Sequence, residues 1–243
     1  MILEDTLLTR SEYIRHAANI AEKHRMGKYD VKSVPNAAKC ADLIADTYAR
    51  ILSAGEAAAG GIHSIPSDEW IGDNFHLINE AAESADSEES RKLVKSIGKT
   101  SSSLGVYEIA AEIAAHTDGR IGETEIIDFV SHYEKVKPLT TNELACLCHM
   151  LKVALLKRLA EICEISDSIY KARKEAERIF REFLSYTGDM ENGRRRSADV
   201  LFENEDLLSP VFAETILRIS AEYEGSEQSS GTGSAVIRAA LSK

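Results

Sequence analysis

The sequence predicts an all-α protein, a multi-helix bundle or short helical array of about eight helices. Apolar residues recur at helical rather than alternating spacing, as in Val106, Ile109, Ala110 and Ile113, and again in Ile126, Val130 and Tyr133. Capping residues and helix breakers punctuate these stretches, and no segment reads as a strand. Apolar residues at 44% and charged residues at 28% are ordinary globular usage, so the chain is expected to bury a sizeable core.

In chain order, the periodicity places helices near 9–25, 36–54, 67–84, 104–116, 123–136, 141–164, 166–186 and 209–223. On the third, Trp70, Asp73, Asn74 and Leu77 share one face by their 3–4 spacing. The fourth and fifth are joined by a Gly-containing turn, His116 to Glu125. The sixth starts on Thr140 with Glu143 three residues on, a capping box just after Pro138. Leu144, Leu147, Cys148, Leu151, Leu155, Leu159 and Ile162 give it a broad apolar face, flanked by Met150 and Val153, and it is expected to be central. The last starts at Ser209 before Pro210, where a proline loses no needed donor.

Between these, the charged and polar stretch from Gly188 to Asn204 reads as a loop. The helical domain is taken as 1–224. Residues 225–234 read as a flexible linker, since so few apolar groups cannot offset the ordering entropy. A short amphipathic tail, 235–243, then reads as the start of a continuation.

Charge and cysteine usage bound the partners. With 40 acidic against 29 basic side chains the net charge is −11, which repels nucleic acid and anionic lipid surfaces. The N-terminus lacks the pattern of a signal peptide, and no stretch approaches the ~18 apolar residues of a spanning helix. A soluble chain without membrane contact of its own is expected. Three of the four cysteines, Cys146, Cys148 and Cys163, fall at helical spacing and fit a reduced, cytoplasmic compartment.

The most distinctive segment is Asp68 to Leu77. A carboxylate, an amide and an aromatic ring on one face could serve a saccharide's hydroxyls and C–H faces. The simpler reading makes Asp73 and Asn74 buried hydrogen bonders at a helix crossing. The second, His116 to Glu125, looks like the back half of an EF-hand loop with Asp118, Gly119, Ile121 and Glu125 in place. Ala114 and His116 would then occupy two ligand positions that need oxygen donors, which argues against calcium. Cys146, Cys148 and His149 lack the paired spacing of a zinc site, and no cofactor or metal is expected.

Among the acidic residues no catalytic pair stands out, and there is no G-x-S-x-G, P-loop or G-x-G-x-x-G motif. A single Trp is few aromatics for a sugar-processing site.

These motifs resemble the N-terminal region of the cyclic β-1,2-glucan synthase family, membrane enzymes pairing a family 84 glycosyltransferase with a family 94 phosphorylase-like domain. The family's W-x-x-D-N-[FHY]-x-[LI]-I-x-E pattern is similar to Trp70, Asp73, Asn74, Phe75, Leu77, Ile78 and Glu80. Its Y-x-[LI]-A-x-E-[LI]-x-A-H-x-D-G-R motif is similar to Tyr107 through Arg120, including Glu112, His116, Asp118, Gly119 and Arg120. The resemblance continues through Phe129, Tyr133, Pro138, Glu143, Met150 and Leu155, and covers roughly residues 5 to 220. Gly72 departs from the family's apolar helix former at that place. The family's nucleotide-sugar and metal site, phosphorylase domain and Q-x-x-R-W-like acceptor motif have no counterpart here, the single Gln being Gln228.

The resemblance implies a non-catalytic accessory domain of an enzyme that uses UDP-glucose. Its partners would be the catalytic domains of that enzyme or a glucan chain, at the cytosolic face of the inner membrane, with homo-oligomers allowed. The alternative is a stand-alone helical binding or scaffold protein derived from such a domain. Trp70, Asp73, Asn74, His116, Asp118 and Arg120 are the expected polar cluster, structural first, with no catalytic residue assigned.

Overall fold

The computed structural model describes residues 7–57, 65–98, 100–117, 119–185 and 209–225. All regular structure among them is helical: α1 Arg10–Arg25, α2 Ala37–Ala57, α3 Pro66–Ala85, α4 Glu88–Ser96, α5 Thr100–His116, α6 Glu123–Glu134, α7 Thr141–Ser185 and α8 Pro210–Gly225. The all-α expectation holds. The expected loop at 188–204, the tail at 235–243 and the linker beyond Gly225 lie outside the described residues, as does Asp118.

The helix ends follow local chemistry. Thr9 N–H donates to Glu12 Oε2 at 3.0 Å before α1. Ser87 Oγ accepts from Ser90 N–H at 3.2 Å before α4. The Thr140–Glu143 box forms as the sequence predicts, with Thr140 N–H donating to Glu143 Oε2 at 2.8 Å and Glu143 N–H to Thr140 Oγ1 at 3.2 Å. Ser209 Oγ caps α8 by accepting from Phe212 N–H at 3.2 Å.

The helices differ from the sequence reading in three places. Helix α4 was not expected. Nine residues are too few for an independent helix, but Leu93 and Val94 pack against the core and supply the stability that length does not. The helices expected at 141–164 and 166–186 are one continuous α7. No Gly or Pro interrupts Glu164–Ile165–Ser166–Asp167, and Ile and Ser lower helix propensity without breaking it. Finally, α5 rather than α7 is the helix buried all round, with Gly105 to Ala110 enclosed on every side. Helix α7 buries Cys146, Leu147, Met150, Val153 and Ala154, while Leu144 and Leu155 are each 38% exposed. Its core face is thus rotated from the expected one.

The chain divides into two compact units, Met1–Glu164 and Ile165–Lys243. In the first, α1 packs along α6 and α2 along α3, and both α1 and α6 touch α5. One core cluster joins Ile20, Ile44, Ile71, Ile109, Phe129 and Met150. The Tyr48 and Phe75 rings stack at 3.8 Å across α2 and α3. Arg50 clamps Asp68 through two hydrogen bonds of 2.7 and 2.8 Å, fixing the first turn of α3. In the second unit, Ala176, Ile179 and Phe180 of α7 form a small core with Phe212 and Ile216 of α8.

Candidate functional site

Two features of the first unit could do chemistry or binding, and each takes in part of a distinctive sequence motif. The first is a groove of about 650 Å³. Its walls are Trp70, Ile71 and Leu77 of α3 and Leu155, Leu159 and Ile162 of α7. Helix α3 splits its residues between two faces. Ile71, Ile78, Ala82 and Ala85 are buried in the core, while Trp70 and Leu77 stay 52% and 54% exposed. Asn74 lies between those two in the groove wall, which Lys152 and Arg158 also line. Gly119, from the turn after α5, lines the same groove. The surface is apolar with a few polar groups, the make-up of a binding site.

This corrects the reading of Asp73 and Asn74 as buried hydrogen bonders. Asp73 is exposed to solvent. Asn74 satisfies itself locally, its Nδ2 donating to the Trp70 carbonyl at 2.8 Å on its own helix. Arg120 is likewise exposed. The expected single polar cluster therefore separates: Trp70 and Asn74 line the groove, Asp73 and Arg120 face solvent, and His116 belongs to the second feature.

That feature joins His16 of α1 with Glu112 and His116 of α5. His16 Nε2 lies 2.6 Å and His116 Nε2 3.1 Å from the same oxygen, Glu112 Oε2. The two imidazoles meet edge to face with centroids 4.7 Å apart. Burial pushes the Glu112 carboxyl up, but hydrogen bonds and charge from His16 and His116 outweigh it and hold it below the usual carboxylate range. The three ligand atoms lie within 4.8 Å of one another, a set that could hold a metal ion. No paired Cys or His spacing marks it in the sequence. Its one legible signal was Glu112 and His116 at i, i+4 on a helix, whereas His16 stands 96 residues away.

A buried polar network lies deeper in the same unit. His24 Nδ1 is 2.8 Å from the Tyr133 hydroxyl, and His24 Nε2 faces Glu108 Oε2 at 3.3 Å. Glu108 Oε2 accepts from the Asp30 backbone N–H at 3.0 Å. With His24 and Glu108 both essentially closed to solvent, this network reads as an anchor for α1, α5 and α6 rather than a reaction centre.

Among the described residues, the fold and these sites define a helical module with an apolar groove and a histidine–carboxylate cluster. No protein-family model, curated protein or solved structure matches the chain.

Proposed function

We propose that the chain is a non-catalytic accessory module of a cyclic β-1,2-glucan synthase-like enzyme, and that the α3–α7 groove docks an apolar segment of that enzyme's catalytic portion. The observation that carries this reading is the groove itself. The W-x-x-D-N and A-H-x-D-G-R motifs, which carry the resemblance, contribute Trp70, Asn74 and Gly119 to one surface. Large apolar side chains left half exposed on facing helices are what a partner helix would cover. A saccharide is the weaker occupant, because a single aromatic ring among aliphatic side chains offers little to hydroxyl-rich faces.

The test uses the purified chain with a detergent-solubilised catalytic portion of a cyclic β-1,2-glucan synthase. Calorimetry is expected to show binding that Leu77→Asp and Leu155→Asp each weaken at least ~10-fold, the equivalent of about 1.4 kcal/mol. Linear β-1,2-glucan is expected to leave the emission of Trp70, the chain's single Trp, unchanged. With UDP-glucose the chain alone is expected to make no glucan. Groove variants that bind as tightly as the parent would remove the docking reading. A glucan-dependent change in Trp70 emission would move the saccharide into the groove instead.

A further inference from the structure

The histidine–carboxylate cluster lies outside the groove and is not used by the docking reading. Its residue types are specific. Two imidazole nitrogens and one carboxylate oxygen are the donor set that late first-row divalent ions, zinc foremost, take in sites that keep one position open. Glu112 and His116 sit one turn apart on α5, so their side chains project from the same helix face. His16 comes from α1, which packs against α5. Three donors from two helices are therefore anchored at separate points.

Distances decide how much must move. Around an ion with bonds of ~2.0–2.1 Å, tetrahedral ligand atoms lie roughly 3.3 Å apart. His16 Nε2 and His116 Nε2 stand 2.6 and 3.1 Å from Glu112 Oε2, and no pair of ligand atoms is more than 4.8 Å apart. Closing the widest separation to that spacing takes at most about 1.5 Å, shared between two side chains and within the freedom of their torsions.

The surroundings favour such a site. Ile113 and Ala114, next to Glu112 on α5, are fully buried and hold the helix in place. The Phe129 ring packs beside His16 with centroids 6.4 Å apart. The three side chains keep 27%, 23% and 16% exposure, enough for an ion and a water to enter. A carboxylate bridging two imidazole N–H groups would explain the contacts alone. What leaves room for an ion beside that pairing is the solvent exposure that all three side chains keep.

We propose that His16, Glu112 and His116 bind one Zn²⁺ ion in a three-ligand site whose fourth position faces solvent. The ion ties α1 to α5 and presents a bound water, a different role from partner docking at the groove.

The test uses the full chain stripped with chelator and titrated with Zn²⁺ by calorimetry and with Co²⁺ by absorption. One equivalent of each ion is expected, with Co²⁺ giving visible d–d bands and no thiolate charge-transfer band. His16→Gln, His116→Gln and Glu112→Gln are each expected to weaken Zn²⁺ at least ~10-fold and remove the d–d bands. Metal-free helical circular dichroism should be preserved in at least one of them. Cys148→Ser and His132→Gln, outside the cluster, are expected to change nothing. Absence of stoichiometric binding would overturn the proposal, as would a His16→Gln, His116→Gln double variant that binds like the parent. So would a thiolate charge-transfer band, which would place the ion on cysteine.

Discussion

Removing the Tyr133 hydroxyl tests whether the His24 network anchors the first unit. His24 is 2% exposed, and its Nδ1 lies 2.8 Å from that hydroxyl. Its Nε2 faces Glu108 at 3.3 Å but out of line for a hydrogen bond. Tyr133→Phe therefore removes the imidazole's aligned partner and opens almost no cavity. Burial raises the Tyr133 phenol above its ordinary value, so the hydroxyl stays protonated throughout the usual pH range. Leaving a buried polar group unsatisfied costs ~1–3 kcal/mol. At ~2 kcal/mol the unit's Tm should fall by ~4–8 °C, taking ~2–4 °C per kcal/mol for a domain of this size. Tyr13→Phe is the matched control. Its hydroxyl donates to the Glu125 carbonyl at 3.2 Å from a part-buried position, and its loss should cost only ~0.5–1.5 kcal/mol. Urea melts of both variants with an unchanged slope decide the matter. If Tyr133→Phe costs no more than Tyr13→Phe, His24 does not depend on Tyr133 and the network is not the anchor.

Two further outcomes follow from the same structure. Burial works against the charge of Glu143, but hydrogen bonds from Thr140 and Ser102 prevail and lower its carboxyl in the folded chain. A lowered folded value means the stabilisation is present above the ordinary Glu pKa of ~4.3 and lost as pH falls through the folded value. Glu143→Gln should thus cost ~1 kcal/mol at neutral pH, with a gap to the parent that closes below about pH 4 in melts across pH. Of the four cysteines, Cys148 alone is exposed; burial pushes the Cys146 thiol up to about 11 and the Cys40 thiol above its usual value. A thiol reagent should therefore label one cysteine per native chain, and Cys148→Ser should abolish that fast phase.

Legibility from sequence followed locality. Thr140 with Glu143, and Ser209 with Pro210, were readable because a cap lies within a few residues of the helix it starts. The all-α class was readable because the 3.6 period recurs along the chain. What failed depended on neighbours distant in sequence. Helix α4 exists because Leu93 and Val94 find the core. The buried face of α7 depends on what packs there, and small or flexible residues such as Ala154, Cys146 and Met150 took the place expected of Leu144, Cys148 and Leu155. The Asp73–Asn74 pair was read as buried because it interrupts an apolar stripe, yet that stripe is the groove wall and not the core. His16 had no local signal, since its partners lie on another helix.

The turn after α5 connects the two sites, which makes Gly119 the most informative single position. It follows His116 by three residues and also lines the groove that holds Trp70. Its φ is +68°, and a Cβ added there meets nothing within 4 Å. Gly119→Ala should therefore be costly through backbone strain alone, at ~1–2 kcal/mol for an L-residue in the left-handed region. Gly119 N–H reaches the Ala114 carbonyl at 3.4 Å, and Arg120 N–H the Thr117 carbonyl at 2.9 Å, so the turn is closed by its own hydrogen bonds and cannot simply relax. Strain and crowding make opposite forecasts for Gly119→Asn. Asn is larger than Ala but tolerates the left-handed region, so strain ranks it between Gly and Ala while crowding ranks it below Ala. Thermal melts of the three proteins, read beside Trp70 emission, should give the order Gly, Asn, Ala. An Ala variant as stable as the parent, or an Asn variant less stable than Ala, would show that this turn is not held by its backbone conformation.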